Sequence, residues 1–235
     1  VFALIALTAS IVAAPAAAQE RADEGAERAV AFAPKQATVG VADYGPFRVL
    51  DEKRAALVDV TDAATIADFE AMLRDHPGIA ILELVECPGT DDDSANLKLG
   101  RMIRARGLAT HVPAGGSVRS GAVELFLAGK RRLIDDGAEF AVHAWRDSDG
   151  REPADYAPDS PYNRAYVDYY REMGVAQPQA FYDMTNAVPN ADARWLTAQD
   201  MRRWVGEARD GDVTVAAPQE QSPSIAYLDL GSRFP

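Results

Sequence analysis

Three short segments of this 235-residue chain hold residue types that can carry out acyl transfer. The apolar run IAILELV (79–85) leads into Cys87-Pro88-Gly89-Thr90, a sharp turn. The segment GGSVRSGAVELFLAG puts Ser120 at the start of an apolar helix after a glycine-rich loop. The run AEFAVH reads as a strand ending in His143. A serine at a helix start sits among backbone N–H groups that lack intrahelical acceptors and can hold an oxyanion. A histidine on a neighbouring strand can take the hydroxyl proton. Strand ends that feed loops are where α/β sheets build sites. The plainer reading of Ser120 is a helix cap worth about 1 kcal/mol, and that of His143 is a packed or surface imidazole.

Positioning these residues requires strands and helices in alternation. A strand pair is expected over 46–60 with a polar tip at 51–54, then a helix over 63–74 with Ile66, Phe69 and Leu73 at helical spacing. The run 79–85 reads as a buried parallel strand. Asp93 or Ser94 is expected to cap a helix whose apolar side is Leu97, Leu99, Met102 and Ile103, ending near Gly107. Strands at 108–112 and 138–143 bracket the helix that follows Ser120, and helices are expected at 161–173 and 197–208. The order is an α/β pattern with right-handed crossovers. A short strand at 225–230 is expected in an otherwise polar tail.

Composition narrows the function. With 36 acidic and 24 basic residues the formal net charge is −12, which argues against a nucleic-acid binder or a protein held on anionic lipid. Cys87 stands alone, so no internal disulfide framework or cysteine-rich zinc site is possible. It reads as a small buried residue. His76, His111 and His143 are too scattered for a histidine metal centre, and the first two have no partner motif. Asp91-Asp92-Asp93 lacks the alternating spacing of a calcium loop and reads as a solvated helix start. Tyr156, Tyr162, Tyr166, Tyr169, Tyr170, Tyr182, Phe181 and Trp195 either line a groove for peptide or pack helices over the sheet.

Residues 1–18 carry no charge and end in Ala16-Ala17-Ala18, the pattern of a cleaved secretory signal. The expected division is a signal at 1–18, a polar leader at 19–45, one domain at 46–208 and a tail at 209–235. The expected location is periplasmic or secreted, with membrane attachment only if residues 1–18 stay uncleaved.

The motifs above, in order, resemble the Clp protease/crotonase superfamily, most closely the periplasmic proteins of Clp protease-like fold. The likeness covers about 46–208. It runs through Cys87-Pro88-Gly89-Thr90, Arg119-Ser120-Gly121-Ala122, Leu127-Ala128-Gly129-Lys130, Ala141-Val142-His143 and Arg194-Trp195-Leu196-Thr197-Ala198-Gln199-Asp200. The resemblance implies a single-domain α/β spiral of short strands and helices. It implies an exported serine hydrolase, a peptidase, with Ser120 as nucleophile and His143 as general base. The backbone N–H groups of Thr90 and Gly121 would form the oxyanion hole, and Asp192 would be the third member, although direct alignment puts Ala193 at that place. No cofactor and no metal are implied. The implied partners are a peptide or protein substrate and further copies of the chain in a ring or trimer. The alternative is a non-catalytic interaction protein on the same scaffold; acyl-CoA chemistry of crotonase type is a weaker third.

Overall fold

The computed structural model describes residues 38–205. The segments 1–37 and 206–235 lie outside the described residues, and with them the signal, most of the leader, the tail and its strand.

The chain begins as an antiparallel meander. β1 (Ala42–Tyr44), β2 (Phe47–Val49) and β3 (Arg54–Leu57) pair in sequence, Tyr44 with Phe47 and Val49 with Ala55. The β2–β3 tip is the polar turn at 51–54, held by Asp51, whose carboxylate accepts from the backbone N–H of Lys53 and Arg54 at 2.8 Å each. The helix α1 (Thr65–Asp75) follows, with Phe69, Met72 and Leu73 facing inward.

Three chain turns then repeat one plan. A strand enters a larger sheet, the backbone kinks, and a second short strand enters a smaller sheet. The pairs are β4 (Ile81–Leu84) with β5 (Glu86–Cys87), β6 (Ala109–Val112) with β7 (Ser117–Arg119), and β8 (Arg132–Ile134) with β9 (Glu139–Val142). The helices α2 (Asp93–Ala105) and α3 (Ala122–Leu127) return the chain between turns. The larger sheet has order β1-β2-β3-β4-β6-β8, parallel from β3 onward. The smaller one ends with β10 (Arg194–Thr197) and has order β10-β9-β7-β5, with β10 antiparallel and the rest parallel. Helices α4 (Pro161–Glu172), α5 (Pro178–Thr185) and α6 (Ala198–Val205) complete the described chain. This is the α/β spiral of short strands and helices that the motifs imply.

The core lies between the sheets and helices. Phe47, Phe69, Leu82, Leu84, Phe126, Phe140 and Phe181 are fully buried in one cluster. Cys87 belongs to it: its Sγ donates to Leu57 O at 3.2 Å, and burial pushes the thiol pKa far up, so the thiolate is not accessible.

The run 79–85 is not one strand but the first half of a kinked pair. The kink is closed by Val85 N donating to Leu57 O at 3.1 Å and Ser117 N donating to Val85 O at 2.9 Å. Asp92, rather than Asp93 or Ser94, caps α2, accepting from Ala95 N at 2.9 Å. The helix expected at 197–208 is α6 over the described residues, with Thr197 and Asp200 bonded at its start, and strand β10 leads into it. Six short elements, β1, β5, β7, β8, α5 and β10, arise where no strand or helix is expected.

A charged cluster bridges the larger sheet. Arg54 and His111 flank Glu83 from the neighbouring strands, and His111 Nε2 also meets Asp135 at 3.1 Å. Burial opposes the charge on His111, but Glu83 and Asp135 outweigh it and raise its pKa above 6.5. A raised folded pKa gives stability that is complete below the unfolded value and lost as pH rises through the folded one. His111→Gln should therefore destabilise the protein at about pH 6 and progressively less toward about pH 9. Urea unfolding across that range checks it; a destabilisation that grows with pH would contradict the cluster.

Candidate active site

The spiral brings three strand ends side by side. β5, β7 and β9 are hydrogen-bonded neighbours running parallel, and neighbouring strands lie about 4.8 Å apart. Just beyond their C-terminal ends stand Gly89-Thr90, Ser120 and His143. All of Thr90, Ser120, Gly121 and His143 line one cleft of about 440 Å³.

Ser120 sits on a strained turn. Its φ is 49°, the one positive φ outside glycine among the described residues. An L-residue held there costs about 1–2 kcal/mol. Strand β7 must give way to α3 within this residue, and two features hold the turn. Ser120 N donates to Ala141 O at 2.9 Å, and Gly89 packs flat against the side chain. A Cβ on Gly89 would come within 3.0 Å of Ser120 Cβ and 3.3 Å of its Oγ, and Gly89 itself has φ of +142°, so only glycine suits that place. A strained strand-to-helix turn is how a nucleophile is pushed into a cleft. Ser120→Gly should consequently raise stability by about 1 kcal/mol while removing the hydroxyl. Thermal unfolding checks it, and a loss of stability would contradict the strain.

The backbone around Ser120 leaves two N–H donors free. Thr61 N donates to Gly89 O and Asp91 N donates to Thr61 O, a parallel bridge that leaves the N–H of Thr90 on the other side. Neither Thr90 N nor Gly121 N has an acceptor among the described residues. Thr90 fits without positive φ. Its hydroxyl bonds Thr61 O at 3.0 Å, and its methyl group packs where a Cβ on Gly121 would be, at 2.4 Å. Buried Asn96 fixes the segment further, donating from Nδ2 to Gly121 O at 2.6 Å and accepting from the Thr61 hydroxyl at 3.1 Å.

His143 follows β9 directly. Its Nδ1 lies 2.9 Å from Ala144 O and 3.1 Å from Asn190 Nδ2, and Asn190 Nδ2 also donates to Ala144 O at 3.0 Å. Two tautomers compete here: Nδ1–H donating to Ala144 O leaves Nε2 bare, as a general base needs, whereas Asn190 Nδ2 donating to Nδ1 puts the proton on Nε2. Asp192 does not reach the ring. The turn closed by Asp192 N donating to Pro189 O brings residue 190 inward, and the exposed Asp192 carboxylate caps the adjacent Ala193 N at 2.7 Å. Asn190 thus stands where Asp192 was expected, anchored by its own N–H to Glu152 Oε1 at 3.0 Å. Among the described residues no carboxylate pairs with the imidazole, and Ser120 and His143 share the cleft without a direct hydrogen bond.

The inner wall of the cleft comes from α2, α3 and α4. Asp93 and Glu124 face it together with Tyr166 and Tyr170. Glu124 is buried, its Oε1 accepting from Tyr170 at 2.6 Å, and burial pushes its carboxyl up to about 7. Burial also raises Asp93, which lies within electrostatic reach of both His143 and Glu124. The aromatic residues therefore divide. Tyr169 is core, donating to Glu124 O at 2.7 Å; Trp145 stacks on Tyr166 at 6.0 Å over the cleft; Tyr162 is exposed. Asn96 and Asn190 carry no sequence signal of their own, whereas Glu124 does: it is the one charge in the apolar helix that Ser120 opens. Among the described residues no group of His, Cys, Asp and Glu is arranged to hold a metal ion.

No family model matches the chain, and no curated protein does. Solved structures do. A ClpP1 mutant from Listeria monocytogenes superposes with a TM-score of 0.50 at 14% identity, over 68% of this chain and 95% of that one. The ClpP protease catalytic domain from Plasmodium falciparum gives 0.45 at 13% over 64% and 79%. A candidate enoyl-CoA hydratase from Streptomyces coelicolor A3(2) gives 0.44 at 12% over 75% and 71%. At these identities the likeness concerns the fold alone: the chain folds like the ClpP1 structure.

Proposed function

We propose that the protein is a serine hydrolase, a peptidase, that uses Ser120 and His143. The observation that carries this reading is the convergence of three parallel strand ends on one cleft. They set a serine at positive φ, an imidazole and two free backbone N–H groups around the same space.

In the proposed reaction Ser120 Oγ attacks the substrate carbonyl carbon while His143 Nε2 takes the hydroxyl proton. The carbonyl oxygen becomes an oxyanion between the N–H groups of Thr90 and Gly121. The carbon–nitrogen bond breaks as His143 returns the proton to the leaving amine. Water, deprotonated by His143, then attacks the acyl-Ser120 ester, and the acid leaves as Ser120 regains its proton. Ala144 O holds the ring through Nδ1–H during both steps, while Asn190 Nδ2 donates to the same carbonyl. Export, with residues 1–18 as signal, and assembly with further copies of the chain are part of the proposal.

A panel of N-acylated peptide esters and amides tests the reading: the wild-type protein should turn them over and Ser120→Ala should not. Equal rates in the two proteins would overturn it.

One observation favours the second reading, a non-catalytic interaction protein. His143 has an amide beside it rather than a carboxylate. A carboxylate there would stabilise the imidazolium formed in the reaction. Asn190→Asp should therefore raise kcat at least about tenfold if the site is catalytic. Steady-state kinetics on the best ester checks it, and an unchanged or lower kcat would remove Asn190 as the group facing the working base.

A further inference from the structure

We infer that the inner end of the cleft is a specificity pocket for a cationic side chain, lysine or arginine, on the acyl side of the bond that Ser120 attacks. This rests on the hydrolase reading for its chemistry, but the pocket stands on its own geometry.

Glu124 lies four residues beyond Ser120, in the first turn of α3, and both line the cleft. A lysine stem is a flexible four-carbon chain that can follow such a wall. A side chain entering beside Ser120 therefore delivers its charged end to the carboxyl groups of Glu124 and Asp93. Neither forms an ion pair with any cation among the described residues, although both line the cleft. The other acidic groups there are accounted for: Asp147 is tied to Arg151 and Tyr156, and Asp91 is exposed at the rim. Arg146 brings a positive charge to the lining, and it too is exposed.

An independent observation points to a missing donor. The Tyr166 hydroxyl is buried and lines the cleft; the Asp93 carboxylate is near enough to attract it, yet no hydrogen bond of normal geometry satisfies it among the described residues. A buried hydroxyl without a partner is costly and uncommon. An ammonium or guanidinium group supplies donors to Tyr166 Oη, to Asp93 and to the carboxyl oxygen of Glu124 not used by Tyr170. Burial of the carboxyls without a counter-ion is what holds their pKa values up, and a bound cation would relieve it. The Tyr166 and Tyr170 rings supply apolar and cation–π contact for the stem and head. A hydrophobic side chain would leave Tyr166 Oη, Asp93 and the second carboxyl oxygen of Glu124 without the donors a cation supplies.

Two measurements test the pocket. Calorimetric titration of the Ser120→Ala protein with Nα-acetyl-lysine amide and Nα-acetyl-leucine amide reads binding without chemistry. The lysine compound should bind at least about tenfold tighter. Inactivation of the wild-type protein by lysine- and leucine-bearing diphenyl phosphonates should show the same preference. Asp93→Asn and, independently, Glu124→Gln should each reduce the lysine-to-leucine ratio by about tenfold or more. Equal or tighter leucine binding, or a ratio that neither variant changes, overturns the inference. Lysine-amide binding with no phosphonate reaction would instead overturn the hydrolase reading and leave the cation pocket standing. Phosphonate reaction without lysine preference would do the reverse.

Discussion

Ser120→Ala is expected to lower kcat by roughly 10⁴- to 10⁶-fold with little change in the unfolding midpoint. The substitution removes the atom that would form the acyl bond. It leaves the strained backbone, the Ser120 N–H bond to Ala141 O and the close approach of Gly89 in place. His143→Ala should cost nearly as much, and the double variant little more than either alone, because nucleophile and base act as one unit. Single-turnover kinetics on an activated ester with the four proteins checks this. Additive losses would mean that the two residues serve separate purposes.

Arg119→Ala is expected to destabilise the protein by about 3 kcal/mol or more. Arg119 is completely buried beneath the nucleophile turn. Its guanidinium donates to Ser117 Oγ at 2.7 Å on its own strand and to Glu86 Oε1 at 2.6 Å on the adjacent strand. The β5–β7 register, with Glu86 opposite Ser117, makes that pair possible. Removing the side chain leaves a void at a fully buried position and takes the donor from Ser117 Oγ and from the partly exposed Glu86 carboxylate, so breaking the pair costs more than the pair contributes. Arg119→Met combined with Glu86→Gln should recover much of the loss. Urea denaturation of the single and double variants gives the comparison. A single variant as stable as wild type would show that the pair does not hold the turn.

The parts of the fold legible in the sequence are those with a strong period. Ile66, Phe69 and Leu73 mark α1, and Leu97, Leu99 and Ile103 mark α2, because a helix with one buried face must repeat every 3.6 residues. The two-sheet kink is not legible in the same way. Residues 79–87 read as one largely apolar stretch with no turn residue inside it, and the kink comes from the hydrogen bonds of Val85 to Leu57 and Ser117. A strand of three residues such as β7 has too little length for alternation to show.

For the site, the order of turn, serine and histidine motifs marks Thr90, Ser120, Gly121 and His143, and the fold gathers all four at one cleft. Asn190 escapes because its place at the ring follows from how the Pro189–Asp192 turn closes, not from its type. Asp93 escapes for a related reason. In sequence it is one of three consecutive aspartates at a helix start; in space Asp92 does the capping and Asp93 turns to the cleft.

The central claim is that Ser120 is a nucleophile activated in a preformed site. Labelling the folded protein with a fluorophosphonate and mapping the adduct by peptide mass spectrometry tests it most directly. The adduct is expected on Ser120, absent in Ser120→Ala and strongly slowed in His143→Ala. No labelling of the wild-type protein, or equal labelling of wild type and Ser120→Ala, would contradict the claim.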